Sequence, residues 1–465
     1  MPRPFLGFLL AVLALTGCRT PPPSVIEVEP APGSELRLDR PLVAHLSAPL
    51  DPGSVAPGAV ALTPELDHRL ALSPDGRTLT ITLTEQPQRL PSELTVRLTS
   101  RLVGTTGQPL VPYTWPLTLP DWVDLGKPNR AALDGSFDLA YAGGPVTLTT
   151  EAVEGGGRDL RAARRTASGW TPLGARVNAH GNAASPALGV TEDGTLYAFW
   201  HDSGLSEVRL AHWDGSAWVG ERSFGVNPNW QAGLPVASRS GPLAVAWREN
   251  TPDGQHWRGY AATKAGGFVP AEPFYSADED LPVLPHSVLA DGDRIYVAFD
   301  YGPPSGPFRA RVRVWDGTAW RDLGGDLKAD PSGPGYGLIP HLALDRGALY
   351  ASWIEYDGTF HHRVHLARWD GGGWQDLGRA DPGEEATYWN ELAAGPQGLA
   401  VLSADPSGAL SVRGYDPERA TFFDWGRSPG IGRGIFRLVL DPGGYPVVAF
   451  GEGSDLAVCA YNHVP

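Results

Sequence analysis

Aromatic residues recur along this chain at intervals of 48 to 54 residues, and each is predicted to begin a short strand. Three of them follow shortly after the same phrase, Trp-Asp-Gly, which predicts a tight turn between two strands. The seven positions are Trp122, Trp170, Trp218, Phe268, Trp320, Trp374 and Phe422. A repeat of this length in a chain of short strands predicts a β-propeller, in which each repeat forms one four-stranded blade.

The last repeat lacks an outermost strand, and residues 121–126 are predicted to supply it. The chain ends after three predicted strands of that repeat. Residues 122–126 (Trp-Val-Asp-Leu-Gly) closely copy residues 320–324 (Trp-Arg-Asp-Leu-Gly), which form the outermost strand of another repeat. Such pairing closes the ring and removes the sheet edges that invite aggregation. The sequence therefore predicts a seven-bladed β-propeller over residues 121–465, closed by its N-terminal strand.

One repeat shows the pattern of the blades most clearly. Asp193-Gly194 turns the chain, a strand ends in Trp200-His201-Asp202, and Trp213-Asp214-Gly215 precedes Trp218. This pattern resembles a poorly characterised type of bacterial propeller. The Gly-His element of WD repeats and the Asp-box of sialidases do not occur in the sequence, so neither family is assigned.

Composition limits the partners that this protein can have. The 465 residues carry 52 acidic and 37 basic side chains, for a formal net charge of −15. This charge disfavours nucleic acid, which calls for a basic surface. There are two cysteines, and Cys459 lies in an apolar predicted strand. We therefore expect no disulfide framework and a buried core thiol. We also expect a monomer that does not bind nucleic acid.

The N-terminus predicts lipid anchoring. Residues 1–18 contain one arginine, an apolar run too short to span a bilayer, and then Leu15-Thr16-Gly17-Cys18. This phrase resembles the lipobox of bacterial lipoproteins, which implies lipid attachment at Cys18. Residues 19–24 form a Pro-rich spacer. The resemblance implies an envelope protein anchored on the extracytoplasmic side, in the outer membrane where a cell has one, because Arg19 replaces the retention aspartate.

Residues 25–120 predict a separate all-β domain. Residues 78–83 (Thr-Leu-Thr-Ile-Thr-Leu) alternate strictly between polar and apolar types after the turn at Asp75-Gly76. Together with Glu29-Pro30 and the closing segment 113–119, these features resemble bacterial Ig-like domains. The resemblance implies a β-sandwich that serves as a spacer. The expected fold class is thus all-β, an Ig-like sandwich followed by the propeller.

Carboxylates recur two residues beyond the aromatic position of the second strand in each blade. Tyr301 takes this position in one blade, and the others have Glu151, Asp202, Glu249, Glu355, Asp405 and Glu452. A ring of carboxylates at one face would attract a cation, an amine or a basic peptide, and calcium is the candidate ion. The alternative is architectural, because such carboxylates also accept hydrogen bonds from backbone N–H groups in the next loop.

The residues before the first strand of each blade vary, as a specific site on a symmetric scaffold requires. Candidates for ligand contact are His286, His341, Asn390 and Arg437. His286 and His341 with a neighbouring carboxylate form a candidate metal set. The sequence contains no nucleophile elbow, zinc-helix motif or phosphate loop.

Two functions remain open at this stage. The propeller is a binding or scaffolding module for an extracytoplasmic protein, glycan or cation. Alternatively, it is a hydrolase or lyase that acts on glycan or peptide at the mouth of the channel, because propellers host both classes. An enzyme would gather groups of perturbed acidity there, for instance a carboxylate beside His286 or His341.

The anchoring hypothesis predicts that Cys18→Ala abolishes palmitate labelling and moves the protein from the detergent phase to the aqueous phase in a partition assay. The physical reason is that the acyl chains supply the apolar surface for membrane association. A Cys459→Ala variant is the matched control and should partition like the parent protein. Palmitate labelling that survives Cys18→Ala would contradict the hypothesis.

Overall fold

The computed structural model shows an all-β protein. The residues that it describes are 20–87, 90–129, 133–179, 182–224, 231–239, 241–254, 256–270, 272–277, 282–302, 308–329, 336–356, 362–383 and 387–464. The signal segment and Cys18 lie outside these residues, so lipidation stays a prediction. The described chain divides into two compact units, one within residues 20–120 with 463–464 and the other within residues 121–462. In the described part, no helix is long and apolar enough to span a bilayer.

The strands of the first unit are β1 (Val25–Glu29), β2 (Leu42–Leu46), β3 (Val60–Thr63), β4 (His68–Leu72), β5 (Thr78–Leu83), β6 (Glu93–Leu98) and β7 (Tyr113–Thr118). They form two antiparallel sheets, with strand orders β1-β2-β5-β4 and β3-β6-β7. A 3-10 turn covers Pro52–Ser54. The predicted alternation is confirmed in β5, where Leu79, Ile81 and Leu83 are buried and the residues between them are more exposed. The Ig-like assignment stays a prediction.

The second unit is a β-propeller, and its described residues form seven four-stranded sheets. We number these blades 1 to 7 and name their strands A to D from the channel outward. Blade 1 comprises β9 (Leu133–Tyr141), β10 (Pro145–Val153), β11 (Gly157–Thr166) and β12 (Gly169–Pro172). Blade 2 comprises β13 (Ala183–Val190), β14 (Leu196–Asp202), β15 (Glu207–Trp213) and β16 (Trp218–Phe224). Blade 3 comprises β17 (Gln231–Ala237), β18 (Ala244–Asn250), β19 (Trp257–Thr263) and β20 (Tyr275–Ala277).

The remaining blades continue the same order. Blade 4 comprises β21 (Val283–Asp291), β22 (Arg294–Tyr301), β23 (Arg309–Trp315) and β24 (Trp320–Asp326). Blade 5 comprises β25 (Tyr336–Asp345), β26 (Ala348–Tyr356), β27 (His362–Trp369) and β28 (Trp374–Arg379), and blade 6 comprises β29 (Trp389–Gly395), β30 (Gly398–Ala404), β31 (Leu410–Asp416) and β32 (Thr421–Asp424). Blade 7 comprises β33 (Arg433–Leu440), β34 (Pro446–Glu452) and β35 (Asp455–Tyr461) with β8 (Trp122–Asp124).

The predicted ring closure is confirmed. Strand β8 pairs antiparallel with β35, with Trp122 opposite Tyr461 and Asp124 opposite Cys459. Beside this pair, the carboxylate of Asp121 accepts hydrogen bonds from the backbone N–H and Nε of Arg427 in blade 6, at 2.8 and 2.7 Å. The N-terminal strand therefore completes blade 7 and also ties it to blade 6.

The Trp-Asp-Gly phrases form the predicted C–D hairpins. Trp369 lies opposite Trp374, and their ring centroids are 5.4 Å apart. Between them, Asp370 Oδ1 accepts hydrogen bonds from the backbone N–H groups of Gly372 and Gly373, both at 2.8 Å. These bonds lower the pKa of Asp370 below its ordinary value.

The tryptophan that begins strand D also links adjacent blades. In five blades its indole N–H donates to a backbone carbonyl at or near the outermost strand of the preceding blade. The donor and acceptor pairs are Trp170–Leu125 at 2.8 Å, Trp218–Leu173 at 2.9 Å, Trp320–Glu272 at 3.0 Å, Trp374–Leu323 at 2.7 Å and Trp122–Arg427 at 2.7 Å. The period of the sequence is therefore the period of a hydrogen bond between blades.

One expected strand start is wrong. Phe268 was expected to begin the outermost strand of blade 3, but that strand is β20, which begins at Tyr275. Phe268 lies in the preceding turn with φ of 59°, and it is buried beside Phe199 of blade 2 at a centroid distance of 5.7 Å. An aromatic residue at the repeat interval was thus retained for packing between blades, and the blade count is unchanged.

Ring closure predicts that replacing residues 121–126 by a Gly-Ser linker of equal length lowers the melting temperature of the propeller by roughly 5 °C or more, because blade 7 loses its fourth strand and buried Trp122. Calorimetry on the full chain measures this transition. The same replacement at residues 20–24, which form no strand, should leave it unchanged. An unchanged propeller transition after replacement of residues 121–126 would contradict closure.

The indole bond between blades predicts that Trp374→Phe lowers the free energy of unfolding by about 1 kcal/mol more than Trp369→Phe does. Trp374 donates to Leu323, whereas Trp369, in the same hairpin, shows no indole hydrogen bond to another described residue. Denaturant titration of the two variants gives the difference. Equal losses would show that the bond contributes nothing beyond ring packing.

Candidate functional site: the central channel

One strand A position in each blade faces the channel. On strand B, the position three residues before the recurrent carboxylate (or before Tyr301 in blade 4) pairs with one residue of strand A. That strand A residue is the one that faces the channel. These residues, which we call the channel ring, are Asp138, Ala187, Val236, Ser287, His341, Glu391 and Arg437. All seven line a cavity of about 490 Å³. The propeller thus offers a site whose wall combines one residue from every blade.

Irregular backbone directs several of these side chains. The A–B register shifts just before the ring position in most blades, as between Leu338 and His341. Within that bulge Ile339 has φ of 51°, an unfavourable conformation for a β-branched residue. Its N–H donates to both oxygens of Asp300 at 3.1 Å, and its carbonyl accepts from Asn390 Nδ2 at 2.7 Å. Neighbouring blades therefore hold the strained residue that positions His341.

Four charged side chains form a closed cluster on the channel wall, which we call the ion quartet. Arg437 Nε donates to Asp138 Oδ1 at 2.8 Å, and Arg437 Nη1 donates to Glu391 Oε1 at 3.0 Å. Arg239 bonds the same two carboxylates, Asp138 at 2.6 Å and Glu391 at 2.9 Å. The quartet joins blades 1, 3, 6 and 7.

Backbone donors complete the carboxylates of the quartet. Leu188 N–H donates to Asp138 Oδ2, and Leu438 N–H donates to Glu391 Oε2, both at 2.7 Å. Burial lowers the pKa of Arg239, but Asp138 and Glu391 outweigh this effect and the net pKa is raised. Each carboxylate of the quartet therefore accepts three hydrogen bonds.

Two histidines lie beside the quartet. His286 Nε2 is 2.9 Å from Asp300 Oδ2, and the rings of His286 and His341 are 6.3 Å apart. His341 is only 9% exposed, and in the described part of the chain its Nε2 has no hydrogen-bond partner. Burial, with His286 and the two quartet arginines, lowers the pKa of His341 well below its ordinary value. His341 is therefore neutral, with one ring nitrogen available.

The structure places the recurrent strand B carboxylates away from the described lining of this cavity. They make contacts within their own blades, Glu355 also accepts from the N–H of Ala329 in the loop before its blade at 2.6 Å, and Glu452 is exposed. Asp202 accepts from the N–H of Gly204 at 3.0 Å, and Asp405 accepts from Ser407 N–H at 2.8 Å. The other contacts are Glu151 with Arg161 at 3.3 Å, Glu249 with Trp247 Nε1 at 3.0 Å, and Glu355 with Trp353 Nε1 at 3.0 Å.

Of the remaining sequence candidates, three line the cavity and one supports the backbone. His286, His341 and Arg437 line the cavity, whereas Asn390 is fully buried and its Nδ2 donates to the carbonyl of Ile339. Among the described residues, no group of three or more His, Cys, Asp and Glu side chains is placed to hold a metal ion.

Sequence reasoning did not find Asp138, Arg239 or Asp300. A usable signal existed for Asp138, which interrupts an apolar run in its strand A (Ser-Phe-Asp-Leu-Ala) as Arg437 does in Phe-Arg-Leu. Alignment of the A strands, rather than the B strands, would have brought both residues to one position.

Comparison with known proteins finds similar solved structures but no family. No protein-family model and no curated protein matches the sequence. The β-propeller domain of the Trilobed protease from Pyrococcus furiosus is 10% identical with a TM-score of 0.44, and the match covers 72% of this chain and 98% of that one. A Penicillium chrysogenum α-L-arabinanase complexed with arabinobiose is 15% identical with a TM-score of 0.43, and the match covers 60% of this chain and 93% of that one.

A third similar structure is an ulvan lyase that represents a family of polysaccharide lyases. It is 12% identical with a TM-score of 0.44, and the match covers 68% of this chain and 88% of that one. At such identities the likeness concerns the fold alone.

Proposed function

We propose that the protein is a lipid-anchored, extracytoplasmic lipoprotein of the cell envelope whose propeller binds a ligand in its central channel. The observation that carries this proposal is the ion quartet on the wall of an open cavity. Burying four charges is expensive, and apolar residues of similar volume commonly stabilise a core as well or better. A cavity of about 490 Å³ is in the range of small-molecule sites.

The anchoring part of the proposal rests on the lipobox resemblance at Cys18 and on the Pro-rich spacer that follows it. The spacer and the first unit would carry the propeller away from the membrane. The ligand would then be met outside the cytoplasm. This arrangement suits a binding module, because the spacer and the first unit would serve to extend the protein from the membrane and not to catalyse a reaction.

A second candidate is a hydrolase or lyase that acts on glycan or peptide in the same channel. The contact between His286 and Asp300 favours it, since a histidine oriented by a carboxylate can take a proton from a substrate or from water. Neutral His341 lies next to this pair. Turnover of a bound glycan or peptide that is lost in His286→Asn would support this second function.

The binding proposal predicts that Val236→Phe, which places a bulky ring at an apolar position of the channel ring, weakens ligand binding at least about tenfold. The measurement is saturation-transfer NMR of the full chain in detergent with neutral sugars, sugar acids and dipeptides. Val269→Phe is the matched control, because Val269 is 73% exposed. The absence of any saturable ligand, or equal binding by both variants, would contradict the proposal.

A further inference from the structure

We propose that the ligand of the channel is a small carboxylate, held by the outward edges of Arg437 and Arg239 and by the indole N–H of Trp389. This inference rests on the proposed channel site and names its ligand class. It differs from the sequence-based hypothesis in which the strand B carboxylates attract a cation, an amine or a basic peptide.

The hydrogen bonds of the quartet leave donors unused. A guanidinium has five N–H donors. Arg437 donates through Nε to Asp138 and through Nη1 to Glu391 and to the Phe436 carbonyl, so its Nη2 takes part in none of these bonds. Arg239 donates through its two Nη atoms to Glu391, the Leu438 carbonyl and Asp138. Each arginine thus keeps N–H groups for a further acceptor.

All four side chains line the cavity, but the arginines are more exposed to it than the carboxylates. The side chains of Arg239 and Arg437 are 26% and 17% exposed, whereas those of Asp138 and Glu391 are 4% and 1% exposed. The carboxylates lie behind the guanidiniums and already accept bonds from them and from backbone. A ligand that enters the cavity therefore meets positive edges first, although the quartet as a whole is neutral.

Trp389 adds a third donor to the same wall. It lines the cavity, and the guanidinium carbon of Arg437 lies 5.9 Å from the centre of its ring. Its buried Nε1 has no hydrogen-bond partner among the described residues. An indole N–H can only donate, so a ligand acceptor could pair with it. The buried, unpartnered Nε2 of His341 is a further polar atom in this wall.

The acidic groups near the cavity do not favour a cation. Asp441 also lines it, but at the far end of strand A, where its Oδ1 accepts from Tyr445 N–H at 2.9 Å in the A–B turn. Asp138 and Glu391 are recessed, as shown above. Convergent donors beside carboxylates that are already hydrogen-bonded suit the recognition of a ligand carboxylate, and guanidinium–carboxylate bonds are among the strongest hydrogen bonds in proteins.

Apolar side chains in another part of the wall suit the body of such a molecule. Leu234, Ile435 and Leu438 line the cavity beside the quartet. A volume of about 490 Å³ exceeds that of a simple inorganic anion and accommodates a molecule of monosaccharide or dipeptide size. The carboxylate would fix orientation, and the apolar wall would contact the remainder.

The test is calorimetric titration of the full chain in detergent with two matched pairs, D-glucuronate against D-glucose and alanyl-alanine against its C-terminal amide. We expect the acid of at least one pair to bind about tenfold or more tightly than its neutral partner. Preference confined to the sugar pair identifies a sugar acid, and preference confined to the peptide pair identifies a peptide carboxylate.

Variants connect that preference to the named donors. Arg437→Gln should weaken the bound acid by about tenfold or more, and Trp389→Phe by about threefold or more. Arg419→Gln, on an exposed turn, should leave affinity unchanged. Trp389→Phe keeps the test valid if Arg437→Gln fails to fold, because it removes one N–H and no charge.

Three outcomes would overturn the inference. They are equal binding of acid and neutral partner, binding of neither acid, and acid binding that is unchanged in Trp389→Phe. Neutral ligands that bind and are lost in Val236→Phe would leave the channel site standing while this inference fails. Ligands that are insensitive to Val236→Phe would contradict both.

Discussion

Pairing of β8 with β35 is the interaction on which the rest of the propeller depends. It completes blade 7 and brings that blade against blade 1, so that Arg437 reaches Asp138, 299 residues earlier in the chain. The ion quartet can therefore form only in the closed ring. Fold and site share one constraint, because the pairing that removes a sheet edge also assembles the wall of the channel.

The channel ring shows how a repeat acquires a specific site. Backbone register fixes one inward position per blade, and its occupants range from Ala187 to Arg437. Bulges in strand A then adjust the direction of individual side chains. The cost is local strain, as at Ile339, which hydrogen bonds from Asp300 and Asn390 of the flanking blades hold in place. Some residues thus support the backbone of strand A, whereas residues beside them in the sequence line the channel.

Much of the fold could be predicted from the sequence, because its determinants are local and repeated. The Trp-Asp-Gly hairpins and the copied strand at residues 122–126 report turn chemistry and cross-strand pairing that each blade needs. Phe268 misled because burial between blades and the start of a strand both select an aromatic residue. The repeat reports packing, and packing alone did not define where β20 begins.

The candidate site was only partly predictable. His286, His341 and Arg437 were found as unusual residues near strand A, but the quartet combines residues from four blades, and no local pattern reveals such partners. The strand B carboxylates repeat because each blade reuses the same structural position, as the caps at Asp202 and Asp405 show. A repeated residue was thus a poorer guide to the channel than an exception to the repeat.

The most direct measurement is a high-resolution crystal structure of the protein soaked, in separate crystals, with D-glucuronate, with alanyl-alanine and with calcium. The account predicts at least one of the two acids in the channel, with carboxylate oxygens about 2.7–2.9 Å from Arg437 Nη2 and within hydrogen-bond distance of Trp389 Nε1. A channel that holds neither acid, or a calcium ion held at Glu151, Glu249 or Glu355, would contradict the account.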